Sequence, residues 1–326
     1  MTARTAWAQA PRLAGAVAAL LAAAACVGQV PGGSPAAVLP TATPPPAAAP
    51  GPAPDTGCRD PTASLRPQGP PPAPGAMPAG TYLRAIQDRG QLVAGVSRDT
   101  LLFGYLNPAS NQLEGFDVDM VRQVAKTIFG DDGHVRFRVV SDAQALPALR
   151  DGTVDLVART LTITCAGWQQ AAFSTEYYHA AQRVLVPANS PVQGIDDLRG
   201  KPVCATTGSR SLATIRAAQS HPVAVAADDW AECLVRFQTG DVDAISADDA
   251  ILLGLAMQDP NARIVGASLG DAPYGMAVSQ AHPDLLRFVN ATLEQVRADG
   301  RWTASYSRWL GRAGPPPAPP PARYRD

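Results

Sequence analysis

Three places in this sequence group side chains that could hold a small charged molecule. In TTGSRSLATI (206–215) a glycine turn opens a helical pattern, with Thr206, Ser209, Arg210 and Ser211 at its start. The free N–H groups of a helix N-terminus, set beside hydroxyls and a guanidinium, form an anion site. Ser209 or Ser211 would also cap that helix, and the two roles can coexist. Asp248 follows the strand-like VDAIS and offers a carboxylate to a cation through a charge-assisted hydrogen bond. Its alternative is to cap the helix DAILLGLA, a role the neighbouring Asp249 fills equally well. The third place is Thr160 with LTITCAGWQQAAFST (161–175), which contains Thr162 and a lone Cys165 and no charged side chain. No Ser-His-Asp or Cys-His constellation and no G-x-S-x-G is visible, so these groups point to recognition, not catalysis.

The chain has 326 residues and a formal charge of −1, enough length for two lobes and no pull toward nucleic acid. Arg4 and Arg12 precede the apolar run LAGAVAALLAAAAC, which is too short to span a bilayer and has the layout of a secretory signal over residues 1–25. The small residues ending in Cys26 resemble the lipobox of bacterial lipoproteins, in which that cysteine carries the lipid. Ala23 departs from the larger aliphatic usual there, and a plain signal cut near Ala25 is the alternative. Residues 26–57 form a Pro/Ala-rich spacer of polyproline character, and 314–326 a Pro-rich tail. Export leaves Cys58, Cys165, Cys204 and Cys233, an even number in an oxidising compartment. His134, His179, His221 and His282 are scattered, and no C-x-x-C or H-x-x-x-H spacing suggests a metal; no cofactor is expected.

Between these ends the pattern alternates strand and helix. QLVAGVS (91–97) and HVRFRVV (134–140) read as strands. DVDMVRQVAKTIFG (117–130) carries Val118, Val121, Val124, Ala125 and Ile128 at helical spacing. The echo between ALRDGTVDLVA and RFQTGDVDAIS predicts two similar α/β lobes. In open α/β sheets ligands sit beyond the carboxyl ends of strands, here the loops near Ser97, Thr160, Thr206 and Ala247. Four cysteines permit three pairings, which sequence alone does not decide. Cys204 and Cys233 fall in one candidate lobe, so the pairing expected joins them and leaves Cys58 with Cys165. The folded body is expected over about Tyr82 to Arg312, with residues 58–81 as an extension stapled onto it.

The blocks GFDVDMVRQVA, TITC with FSTEYY, DLRGKPVCATTGS, GDVDAISADD and DGRWTASYSRWLG resemble, in the family's order, those of bacterial extracellular solute-binding proteins of the polar amino acid type. Anchor, spacer and cysteine positions are most similar to mycobacterial members that bind glutamine or glutamate. The resemblance implies a type II two-lobed clamshell, each lobe a mixed sheet flanked by helices. Lobe 1 would comprise 82–184 and 276–313 and lobe 2 residues 185–275, joined by hinge strands at 182–188 and 272–278. It further implies that Asp248 accepts a ligand ammonium, that Thr160 and Thr162 hold the carboxylate and amino group, and that Ser97 and Phe103 with Leu101 and Leu102 form the first cleft loop. Asp117 and Asp119 read as structural complements to a helix dipole, and Trp302, Tyr306 and Trp309 as a core face.

One departure stands out. The family places an arginine for the ligand carboxylate where this chain has Gly167. A substitute cation would come from Arg210, Arg59 or Arg98; Arg159, alternating with Thr160, is expected to face away from the cleft. The resulting reading is a monomeric, membrane-anchored binder of a small polar solute of the glutamate, glutamine or aspartate class. It would deliver that solute to an ABC permease or report it to a membrane sensor. A divergent member binding a solute other than an amino acid is the alternative that Gly167 raises.

Overall fold

A computed structural model describes residues 58–325. The signal segment 1–25, Cys26 and the spacer to residue 57 lie outside the described residues. The apolar run Leu92–Val96 forms an interior strand, second from one edge, of a five-stranded sheet. It pairs in parallel with Val135–Val139 and Leu156–Val157. The sheet continues antiparallel through Ala277–Val278 to Ala172–Phe173. The helix Phe116–Phe129 buries the five apolar side chains that its spacing singled out, together with Phe116 and Met120. Helices Pro283–Ala298 and Arg301–Leu310 complete this lobe. Trp302 is buried and donates from Nε1 to the Tyr177 carbonyl at 2.7 Å.

The second sheet repeats the plan. Pro202–Thr206 lies between Val223–Ala227 and Ala244–Asp248, all parallel. The ten-residue strand Tyr178–Pro187 pairs antiparallel with Ala244–Asp248 and with Ala262–Val265. A separate apolar core fills this lobe, around Leu185, Ile245 and Leu252. Two lobes are therefore present, joined by paired strands; the first also holds a second, smaller cluster around Ala145, Val157 and Phe173. The crossing lies at Tyr178–Ala181 against Asp271–Tyr274, whereas 182–188 belongs largely to the second sheet. The strand runs unbroken from one lobe into the other, and no change of residue pattern marks the crossing.

Both disulfides form between the expected partners, Cys58–Cys165 and Cys204–Cys233. By the chain-entropy account each contributes roughly 3–5 kcal/mol. The body is larger than Tyr82 to Arg312. Ser64–Leu65 pairs in parallel with Tyr324–Arg325 of the Pro-rich tail. Asn290 donates to Ser64 Oγ and the Leu65 carbonyl, each at 2.8 Å, and accepts from Thr175 N–H. Met77 is buried in the first core. Proline-rich chain carries no periodic pattern, so these few anchors were not visible as an element. The short meander Asp99–Thr100, Gly104–Asn107 and Gln112–Glu114 was likewise unforeseen.

Candidate functional site

The loops at the carboxyl ends of both sheets meet around a cavity of about 380 Å³. The first lobe supplies the stretch 160–167. Thr160 adopts a left-handed backbone with φ of 48°, uncommon for a β-branched residue. Asp117 holds it there: its Oδ2 accepts the Thr160 N–H at 2.6 Å, and its Oδ1 accepts the Tyr177 hydroxyl at 2.6 Å. Burial pushes the Asp117 carboxyl up to about 6. Asp117 is thus structural, as an internal anchor for the cleft loop and not as a surface complement to a dipole. Asp119 is structural too, accepting from Ser305 and from Trp309 Nε1. Further along, Ile163 N–H donates to the Pro273 carbonyl at 2.7 Å, fastening the loop to the returning hinge strand. Thr164 caps the short helix Cys165–Trp168 by accepting from Gly167 N–H.

The second lobe supplies the start of the helix Arg210–Ala217. Ser209 accepts from Leu212 N–H at 3.1 Å and also lines the cavity, so cap and wall coincide. Arg210 lines the cavity with Nη1 buried and without a partner. Its guanidinium lies over Gly270, where a Cβ would fall 2.6 Å from Nη2. Asp248, 4% exposed, accepts the Tyr274 hydroxyl at 3.0 Å through Oδ2, while Oδ1 is buried and unpartnered. Burial raises this carboxyl to about 7, against the lowering effects of the Tyr274 hydrogen bond and Arg210. Asp249 accepts from Ala181 N–H and serves the hinge strand instead.

Of the residues singled out in the sequence, Thr160, Thr162, Ser209, Arg210, Ser211 and Asp248 share this one cavity. Ser97 is buried but outside the cavity lining, bonded to Asp99 and Thr100. Thr206 donates to Asp142 Oδ2 at 2.6 Å, across from one lobe to the other. Arg59 is exposed and lies outside the cavity lining, although the disulfide does bring the extension to the helix behind Gly167. Arg98 is also outside it, 62% exposed and 3.9 Å from Asp229. Arg159 lies outside the cavity lining, in keeping with its alternation with Thr160, but it acts on the wall from behind. The regular strand ends at Val157, the left-handed turn at Thr160 follows, and the buried guanidinium reaches Asp142, which lines the cavity. Asp142, Thr164, Gln170 and Trp230 are wall residues that sequence reasoning missed. Asp142 had a usable signal: it opens the helix after the strand Val135–Val139, a strand end of the same kind as the four loops identified.

Gly167 lines the cavity but has no room for a side chain. A Cβ there would lie 2.9 Å from Phe173 Cζ and 3.0 Å from Cε2. Gly167→Arg is therefore expected to destabilise the protein by about 1–3 kcal/mol through overpacking and not to tighten binding. A thermal melt and a ligand titration on the variant check the two halves.

The lobes close directly on one another around the site. Asp99 Oδ2 accepts from Trp230 N–H at 2.6 Å, and a Cβ on Gly208 would fall 2.8 Å from Ala143 Cα. Such a cleft between two hinged α/β lobes defines a type II solute-binding clamshell. Residues 92–312 match the profile of bacterial extracellular solute-binding proteins, family 3, and the chain belongs to that family. It is accordingly a solute-binding protein of an extracytoplasmic family, not an enzyme. The ABC transporter glutamine-binding protein GlnH of Bacillus subtilis is 35% identical over 229 residues, covering 70% of this chain and 84% of that one. The glutamate-binding protein GluB of Corynebacterium efficiens is 28% identical over 248 residues, 72% and 83% of the two chains. Among solved structures, the solute receptor for L-cysteine of Neisseria gonorrhoeae superposes with a TM-score of 0.68 at 27% identity, over 71% of this chain and 94% of that one.

Proposed function

We propose that the chain captures a free α-amino acid and presents it to the permease of an ABC importer. It would act as a monomer tethered through a lipid on Cys26 and the spacer 26–57. One observation carries the ligand assignment. Asp248 and Arg210 line the same cavity, and each carries one buried polar atom, Oδ1 and Nη1, that has no hydrogen-bond partner in the protein. Buried polar atoms ordinarily find a partner, because leaving them without one costs ~1–3 kcal/mol each and more for charged groups. A zwitterion answers both, its ammonium on Asp248 and its carboxylate on Arg210 and the helix N-terminus behind Ser209. The relatives named for glutamine, glutamate and cysteine binding support the same chemical class.

A thermal-shift panel of amino acids and other small solutes on the purified protein tests the proposal. At least one α-amino acid is expected to raise the melting temperature, by about 2.7 kcal/mol of stabilisation at a hundredfold excess over Kd. No shift with any of them, alongside a shift with another solute, would overturn the assignment.

A further inference from the structure

The walls of the cavity contain three charged side chains, Arg210, Asp248 and Asp142; among the described residues Arg210 is the one cation lining it. If the amino acid reading holds, Arg210 and Asp248 are consumed by the ligand's own carboxylate and ammonium. What remains for the ligand's side chain is Asp142 with uncharged surroundings, including Leu146, Leu161, Thr164 and Gln170. Asp142, however, is not a free carboxylate. Arg159 pairs with its Oδ1 from behind the wall, with a side chain only 4% exposed, and Thr206 donates to its Oδ2. The arginine is outside the cavity lining, yet its charge cancels the carboxylate that is inside.

We propose that the Arg159–Asp142 pair makes this cleft selective for α-amino acids with an uncharged side chain. An acidic side chain would bring a second negative charge with no second cation in the lining to meet it. A cationic side chain finds Asp142 already neutralised, and its own desolvation would go uncompensated. A neutral polar side chain meets hydroxyls and an amide. Arg159 is thus a positioning and charge-cancelling residue for specificity, and it touches the ligand only through Asp142. The inference rests on the amino acid reading given above. It narrows the glutamate, glutamine or aspartate class expected from sequence to its uncharged member.

Calorimetric titration of the purified protein with glutamine, glutamate and arginine tests it. Glutamine is expected to bind at least about tenfold more tightly than either charged ligand, a difference of roughly 1.4 kcal/mol. Glutamate or arginine binding as tightly as glutamine would overturn the inference and leave the amino acid site standing. Silence from all three, and from every other α-amino acid, would remove the underlying reading and this inference with it.

Two variants then move the preference in opposite directions. Arg159→Met frees the Asp142 charge and should raise the arginine-to-glutamine affinity ratio by about tenfold or more. Asp142→Asn frees the Arg159 charge and should raise the glutamate-to-glutamine ratio by a similar factor. If one variant fails to fold, the other still decides. A merely structural pair would weaken all ligands together, and unchanged ratios in a folded variant would overturn the proposal.

Discussion

Replacing Arg210 with alanine is expected to weaken amino acid binding by roughly 30- to several-thousand-fold while leaving the fold intact. The size follows from leaving a buried ligand carboxylate without its cation, a loss of about 2–5 kcal/mol at 1.4 kcal/mol per decade. The fold survives because Nη1 has no hydrogen-bond partner in the protein and the helix is capped by Ser209, not by the guanidinium. Arg210→Lys should fall between the two, since an ammonium restores the charge but not the planar two-donor fork. Titration calorimetry measures the affinities, and circular dichroism confirms that the variants are folded. An Arg210→Ala protein that binds as tightly as the parent would return the carboxylate to another partner and sink the assignment.

That this cation sits on the second lobe alters how closure works. On the proposed reading, ammonium and carboxylate would both be held by Asp248 and Arg210, and the second lobe would offer a complete zwitterion dock before the cleft shuts. The first lobe then contributes the threonine loop, Asp142 and direct lobe-to-lobe contacts such as Thr206 to Asp142 and Asp99 to the Trp230 N–H. A ligand stabilises the closed form only through contacts that the open form lacks. On that reading those contacts would come chiefly from the first lobe's walls, and discrimination between side chains would belong there, where Arg159 and Asp142 lie.

The sequence disclosed the two α/β lobes and most of the second lobe's half of the site. A helix N-terminus after a glycine turn and an aspartate after a strand are local patterns, and both landed in the cavity. What stayed hidden was non-local. Nothing near Gly167 reveals that the Phe173 ring closes its space, and nothing near Arg159 reveals that its guanidinium pairs with the wall residue Asp142. The sequence shows Asp117 only as a complement to the helix dipole, because its partners, Tyr177 and the Thr160 N–H, lie 60 and 43 residues away. The tail 314–326 reads as lying outside the body, and the stapled extension 58–81 shows no strand, because the few residues that pair them leave no periodic signal.

Binding should also fade in acid, and Asp248 sets where. Burial lifts its carboxyl to about 7 in the ligand-free cleft, and an ammonium requires the ionised form. Below that value the proton must leave before the ligand can bind, so affinity falls by up to tenfold per pH unit. At pH 5 it should be roughly a hundredfold weaker than at pH 8. The stability of the ligand-free protein runs the other way. A carboxyl raised above its unfolded value of 3.8 holds its proton more tightly when folded, so stability is lost as pH rises from about 4 through about 7. Asp117, raised to about 6 by burial, adds to the same slope. The ligand-induced rise in Tm should therefore grow with pH while the ligand-free Tm declines. Asp248→Asn separates the two carboxyls: it should raise the ligand-free Tm at pH 8, leave the part of the slope due to Asp117, and abolish most binding at every pH. Melting curves with and without ligand between pH 5 and 8, for parent and variant, measure all of these. A parent whose affinity is the same at both ends of that range would show that Asp248 does not carry the ammonium.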